Sequence, residues 1–238
     1  MLSKIEEAII LAGGLGTRLR TSVPNLPKPL APINNKAFLE LLMNYWIKQG
    51  IKHFVLSVGY MHEKIVDYFG DNYRNIPIDY AIESSPLGTG GGLLLGLTKL
   101  KNRNDCLVIN GDTFFEVNLN SLEKFHFSNE SDWTIALFNC HHNNRYMGIK
   151  LDDFNQVQSL ESDQSYLSNG GVYLTNPDRI NALNFKPKTI ISLEKDILTK
   201  LLKIQGRLFG MVCKSQFIDI GVPEDYEKAQ HTLQHLHL

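Results

Sequence analysis

A hydrophobic run, Ala8-Ile9-Ile10-Leu11-Ala12, breaks abruptly into Gly13-Gly14-Leu15-Gly16-Thr17-Arg18, and this break constrains the chain more than any other stretch. The run has the length of a buried strand. Glycines after it let backbone N–H groups come close to an anion, because no Cβ stands in the way. Arg18 on the loop and Lys28 between Pro27 and Pro29 add the positive charge that amides cannot supply. The stretch therefore predicts a strand feeding a phosphate-gripping loop.

The rest of the first half repeats strand and helix. Ala37–Gln49 carries apolar residues at helical spacing before Gly50, and His53–Val58 is a compact strand. Met61–Phe69 is helical up to Gly70, Ile76–Glu83 is a strand, and Leu93–Leu100 belongs to a helix starting near Gly88. Cys106–Ile109 is a short buried strand with Asn110-Gly111-Asp112 just beyond it. Such alternation predicts βαβ units and a largely parallel sheet. In the second half, Asp132–Cys140, Met147–Leu151, Gln156–Leu160 and Gly171–Thr175 read as short strands that extend the sheet with antiparallel members. Asn176-Pro177 starts a helix, Ser192 caps another through Ile204, and Pro223 opens a terminal helix toward His237. There is no repeat or linker, so the 238 residues read as one α/β domain, with the change of character falling after about residue 115.

A formal net charge of −1, with both signs mixed along the chain, does not provide the basic face that DNA or RNA binding needs. No apolar stretch approaches membrane-spanning length, and MLSKIEEAIILAGG reads as a core strand rather than a signal peptide. Cys106, Cys140 and Cys213 lie far apart, which fits reduced thiols and a cytoplasmic protein. Cys140-His141-His142 reads as a strand-end turn, since no fourth metal ligand has suitable spacing, and His231, His235 and His237 read as a frayed helix end.

The glycine loop lacks the GxxxxGK[ST] pattern of a Walker loop. It also fails the dinucleotide fingerprint, because Leu19 stands where a small residue is required. What remains is an ordered set of motifs. LAGGLGTRLR with PKPLAP, Val58-Gly59-Tyr60, Glu83-Ser84-Ser85-Pro86-Leu87-Gly88-Thr89-Gly90-Gly91 and Asn110-Gly111-Asp112 are followed by Tyr146-Met147-Gly148-Ile149, Asn169-Gly170-Gly171-Val172-Tyr173 and Phe217-Ile218-Asp219-Ile220-Gly221. In this order they resemble the sugar-1-phosphate nucleotidylyltransferases nearly end to end.

That resemblance implies a Rossmann-like three-layer α/β/α sandwich with a mixed, mainly parallel central sheet. It also implies an attack by a sugar 1-phosphate on the α-phosphorus of a nucleoside triphosphate, with pyrophosphate leaving in line. Arg18 would hold the leaving phosphates, Lys28 would neutralise charge near the α-phosphate, and Asp112 with Asp219 would hold Mg²⁺. The nucleotide would lie against Leu11, Ala12, Gly13, Gly14, Gly16, Thr17, Gly59, Glu83, Pro86, Leu87, Gly88, Thr89 and Gly111. The sugar phosphate would meet Gly148, Glu161, Asn169, Gly170 and Lys195, so that the resemblance implies a mainly nucleotide-binding half at 1–115 and a mainly sugar-phosphate-binding half at 116–238. Family members often carry Glu-Lys where this chain has Glu161-Ser162, so the second phosphate-binding lysine of that pattern is missing; Lys195 or Lys150 is a candidate substitute, and Lys150 also reads as a solvated surface lysine. The PLGTGG form is similar to guanylyltransferases, and the combined segments are most similar to those acting on D-glycero-α-D-manno-heptose 1-phosphate. The implied substrates are GTP and heptose 1-phosphate, for surface polysaccharide assembly, in a monomer or homodimer. Mannose, glucose or N-acetylmuramate 1-phosphate, another base, and a non-catalytic regulatory subunit stay open as alternatives.

Overall fold

A computed structural model describes residues 4–19, 22–140, 146, 148–186 and 189–234. Its centre is one eight-stranded sheet: β1 (Glu7–Ala12), β2 (His53–Val58), β3 (Asn72–Tyr73), β4 (Ile76–Ile82), β5 (Cys106–Asn110), β6 (Trp133–Asn139), β7 (Leu167–Thr175) and β8 (Leu208–Val212). The order across the sheet is β8-β6-β7-β5-β1-β2-β4-β3. β1 runs parallel to β2 and β5, β2 parallel to β4, and β6 parallel to β8, while β7 is antiparallel to both neighbours and β3 to β4. The sandwich and mixed sheet implied by the resemblance are the ones observed.

Alternation along β1 explains the layers. Ala8, Ile10 and Ala12 point into one core with α1 (Phe38–Ile47), α2 (His62–Phe69), α4 (Leu119–Ser128) and α7 (Pro223–Thr232). Ile9 points into the other, with α3 (Gly88–Leu97), α5 (Pro177–Asn181) and α6 (Thr199–Lys203). A strand buried on both faces reads as a continuous apolar run, as Ala8–Ala12 does. Burying Ile9 and Ile10 fully contributes about 1.5–3 kcal/mol each relative to exposure. None of the described helices is long and apolar enough to cross a membrane.

The expected helix starts at Asn176 and Ser192 are observed. Asn176 Oδ1 accepts the Asp178 N–H at 3.0 Å, and Ser192 Oγ accepts the Lys195 N–H at 3.1 Å. The helix beyond Ser192, however, is split into a π-helix, Leu193–Leu198, and then α6. Its start is tied down elsewhere: Ile191 N–H donates to the Leu87 carbonyl at 2.8 Å and Leu193 N–H to Thr89 Oγ1 at 2.9 Å. The strand expected over Met147–Leu151 is reduced to Lys150–Leu151, because the Gly148 carbonyl accepts the Ser162 N–H at 2.8 Å and leaves the ladder. α3 ends at Leu97 rather than Leu100. The reading of the last turn toward His237 lies outside the described residues, as do His141, His142 and His235.

Three features were not expected from the sequence. α4 begins at Asn118, whose Oδ1 accepts the Ser121 N–H at 2.9 Å. β8 pairs beside β6 at the sheet edge. A short antiparallel pair, Thr113–Phe115 with Phe217–Asp219, sets Asp219 opposite Thr113. This last pair matters most for function, because it carries a residue from near the chain's end to the loop after β5.

Candidate active site

Connections leave β1 toward β2 on one side and arrive at β5 on the other, so the strand order reverses beside β1. Open α/β sheets bind ligands at the carboxyl ends of the strands at such a reversal. A cleft of about 550 Å³ lies there. Leu11, Ala12, Gly13, Gly14, Lys28, Gly59, Glu83, Pro86, Gly88, Thr89, Gly111 and Asp112 line it, all of them expected at the nucleotide site or its charge centre. Ser57, Tyr60 and Asn110 line it as well, although the motif reading gave them no role. Gly16 rests on Lys28 with φ +59°, where a Cβ would come within 3.2 Å of the Lys28 Cβ. Thr17 and Arg18 are exposed on the loop outside the cleft wall.

The glycines of the Gly88–Gly92 turn have a packing reason. A Cβ at Gly88, where φ is +75°, would lie 2.5 Å from the Ile191 carbonyl oxygen, and one at Gly90 would lie 2.7 Å from the Ile191 Cγ2. Helix α3 can therefore start this close to Ile191 only with glycine at those positions. The turn also fixes Glu83: the Leu87 N–H donates to Glu83 Oε2 at 2.8 Å. Its other oxygen, Oε1, lies so close to Gly13 and Gly92 that a Cβ at either would clash with it, at 2.5 and 2.9 Å. Burial raises the Glu83 pKa, with the Leu87 N–H pulling the other way.

Charge gathers at one end of the cleft. Lys28 Nζ sits 2.7 Å from Asp112 Oδ2 and 3.8 Å from Asp219 Oδ1, with the lysine side chain 9% exposed. Asp219 Oδ1 also accepts the Gly221 N–H at 2.6 Å, and the Ile220 N–H donates to the Asp112 carbonyl at 3.0 Å. The two carboxylates come from segments more than a hundred residues apart and share one ammonium. Two carboxylates around a common cation are a hard-oxygen donor pair, which suits a divalent ion that takes its other ligands from phosphate and water. No group of three or more His, Cys, Asp or Glu placed to hold a metal occurs among the described residues, so the protein by itself offers a partial shell.

A second cavity has a volume of about 820 Å³. Asp219 lines it, together with Phe138, Tyr146, Phe217 and Lys228. Phe138 and Phe217 stack at 3.9 Å between ring centroids, and Tyr146 meets both edge-on at 5.3 and 5.8 Å. Phe217 stood within a quoted motif, whereas Phe138 gave no signal beyond its place in a buried strand.

The residues expected at the sugar phosphate are not gathered in the nucleotide cleft. Gly148 is packed under the carbonyls of Ser162 and Ser165, where a Cβ would clash with both. Glu161 is exposed, its backbone held by Ser159 Oγ, which donates to the Glu161 carbonyl at 2.7 Å. Lys150 and Lys195 are exposed, the latter on the π-helix beside Thr89. Gly170 faces the Phe115 ring, leaving no room for a Cβ. Asn169 opens a bulge in β7: its Nδ2 donates to the Tyr173 hydroxyl at 2.6 Å and its Oδ1 accepts the Gly171 N–H at 3.0 Å.

The family described as nucleotidyl transferase matches residues 7–235. A D-glycero-alpha-D-manno-heptose 1-phosphate guanylyltransferase of Aneurinibacillus thermoaerophilus is 43% identical over 233 residues, covering 96% of this chain and 99% of its own. One from Campylobacter jejuni is 42% identical over 223 residues, covering 92% and 96%. The crystal structure of HddC from Yersinia pseudotuberculosis complexed with GMP-PN superposes with a TM-score of 0.83 at 33% identity, covering 97% of this chain and all of that one.

Proposed function

We propose that this chain, which belongs to the nucleotidyl transferase family, transfers GMP from GTP to D-glycero-α-D-manno-heptose 1-phosphate, forming GDP-heptose and pyrophosphate for surface polysaccharide assembly. The observation that carries the chemistry is the pair Asp112 and Asp219 around Lys28, Asp112 lining one cavity and Asp219 the other. The choice of base and sugar is supported by the relatives named above.

An oxygen of the sugar 1-phosphate attacks the α-phosphorus. A new P–O bond forms as the bond to the β-phosphate oxygen breaks, and pyrophosphate leaves with the electron pair. Such a displacement needs alignment and charge neutralisation more than a covalent nucleophile. Lys28 neutralises charge at the α-phosphate, and Arg18, on the exposed loop, holds the leaving pyrophosphate. Asp112 and Asp219 would hold Mg²⁺, which supplies Lewis-acid stabilisation of the phosphate oxygens when bound. The backbone around Leu11–Gly13, with Gly59 and the Pro86–Thr89 loop, lies against the base, Gly14, Gly16 and Thr17 lie along the phosphates, and Gly111 completes the nucleotide site. We assign Glu83, which lines the cleft, as an acceptor for the adjacent N1–H and N2–H₂ donors of guanine, a paired donor edge that thymine lacks. Residues 1–115 thus serve the nucleotide, and 116–238, through Gly148, Glu161, Asn169, Gly170 and Lys195, serve the sugar phosphate. We place the sugar on the side of Asp219 that faces the stacked Phe138 and Phe217. The reaction runs in the cytoplasm, whose reducing conditions suit the free Cys106, Cys140 and Cys213.

A pyrophosphate-release screen of four or five nucleoside triphosphates against a panel of sugar 1-phosphates with Mg²⁺ tests this reading. GTP with the heptose 1-phosphate is expected to give the highest kcat/KM. Preference for UTP or dTTP overturns the base, and release with no pair overturns the enzyme.

A further inference from the structure

We infer that the ion pair of Asp225 with Lys228 selects the sugar, by binding the hydroxyls of the longer side arm that a heptose carries and a hexose lacks. The inference rests on the heptose 1-phosphate reading given above.

The second cavity has two kinds of wall. Phe138, Tyr146 and Phe217 make an apolar side, and one face of α7 contributes a polar one. Asp225, Lys228 and Thr232 follow one another on α7 at intervals of three and four residues, so they share a helix face, and all three line the cavity. Lys228 Nζ lies 3.2 Å from Asp225 Oδ1, with the lysine side chain 67% and the aspartate 21% exposed. A pair with so exposed a lysine contributes little to stability, and its place on a cavity wall points to a ligand instead.

Charge decides which part of a sugar 1-phosphate meets this pair. Asp219 lines the same cavity and lies 3.8 Å from Lys28, at the reacting end where the phosphate has to reach the α-phosphorus. The Asp225 carboxylate would repel that phosphate. It suits a neutral, hydroxylated group, because a carboxylate accepts from two hydroxyls at once and an ammonium beside it donates to their oxygens. The aromatic wall suits the C–H surface of the sugar ring, leaving a few polar groups to fix its orientation. D-glycero-α-D-manno-heptose has a side arm one carbon longer than that of mannose, and the extra carbon turns a single arm hydroxyl into a neighbouring pair. A carboxylate and an ammonium side by side match such a pair. A site built to hydrogen-bond a hydroxyl discriminates strongly against a substrate without it.

Asp225 also stands in the first turn of α7, where a negative charge favours the helix, and so does the exposed Glu224. Glu224→Gln therefore controls for charge at the helix start. The full chain is compared as wild type, Asp225→Asn, Lys228→Gln and Glu224→Gln, with heptose 1-phosphate and with mannose 1-phosphate. Pyrophosphate release with GTP gives kcat/KM, and calorimetry with a non-hydrolysable GTP analogue present gives sugar-phosphate binding without turnover. Asp225→Asn should lower kcat/KM for heptose 1-phosphate by about 10-fold to 100-fold, the range for a hydrogen bond to a charged group, and weaken its binding in step. Lys228→Gln should show a smaller loss of the same kind. Mannose 1-phosphate and the KM for GTP should stay at wild-type values in both, and Glu224→Gln should match the wild type throughout. Equal losses with the two sugars, or an unchanged heptose-to-mannose ratio in Asp225→Asn, overturn the inference. A wild type that uses mannose 1-phosphate as well as the heptose, or that binds the heptose 1-phosphate yet releases no pyrophosphate, overturns the function proposed above instead.

Discussion

The two cavities, one lined by Lys28 and Asp112 and the other by Asp219, are built in different ways. The nucleotide cleft is walled largely by glycines and main chain: Gly13, Gly14, Gly59, Gly88 and Gly111, with Glu83 and Lys28 as its ionisable side chains beside Asp112. The second cavity is walled by side chains, the stacked Phe138 and Phe217 with Tyr146 against them. Backbone walls suit a triphosphate and a flat base, because N–H groups and close approach do the recognising. Side-chain walls can be reshaped by single substitutions, which suits the partner that differs from one transferase to the next. Between them, Asp112 borders one space and Asp219 the other.

The comparison breaks most readily at the shared carboxylates. Asp112→Ala should reduce turnover by ~10²-fold or more, since a preorganised charge contact is removed, and Arg18→Ala should do the same from the loop. Steady-state pyrophosphate release reads both, and near-wild-type kcat in either variant removes that residue from the reaction. The next effect is on base choice. Glu83→Gln should reduce the preference for GTP over other triphosphates by about 10-fold to 100-fold in kcat/KM, because a hydrogen-bonded acceptor is being exchanged. Unchanged selectivity would return guanine recognition to the main chain.

Phe217→Ala sharpens the division between the cavities. It should raise the KM for the sugar 1-phosphate by about 10-fold, with stability falling by about 3 kcal/mol, and leave the KM for GTP alone. A rise in the GTP KM instead would show that the aromatic wall serves the nucleotide. The smallest effect is thermodynamic. Glu83 has its pKa raised by burial, so the folded protein binds its proton more tightly than the unfolded chain does. Its contribution to stability is complete below the ordinary glutamate value of 4.5 and is lost as pH rises through the raised one. Glu83→Gln should therefore raise Tm at neutral pH, and the gain should shrink to nothing on acidification below 4.5, measured by thermal scans across pH.

The difference between the cavities also decides what was legible. Glycine loops are contiguous, so Gly13–Arg18, Pro86–Gly91 and Asn110–Asp112 stood out in the chain and now border one cleft or its rim. The helix starts at Asn176 and Ser192 were legible for the same reason, since a cap and its first turn are neighbours. α4 was missed although Asn118 carries the same kind of cap, because the polar Glu123 and His126 share the buried face with Leu119 and Leu122 and blur the apolar stripe. The exposed strand pair near Lys150 was overextended, because the turn that captures Gly148 depends on serines more than ten residues away.

By itself the sequence determined the alternation that makes the sheet, the loop that follows β1, and the residue types that transfer chemistry requires. These are set by periodicity and local backbone freedom, which act over a few residues. Only the tertiary structure decided that Lys28 lies between Asp112 and Asp219, that Phe138 stacks on Phe217, and that Asn169 donates to the buried Tyr173 hydroxyl across the bulge in β7. Each of those contacts joins segments brought together by strand order and by the pairing of Phe217–Asp219 with Thr113–Phe115 or by the bulge in β7. Such contacts are selected by which arrangement buries the most apolar surface while satisfying its polar groups, a property of the whole fold.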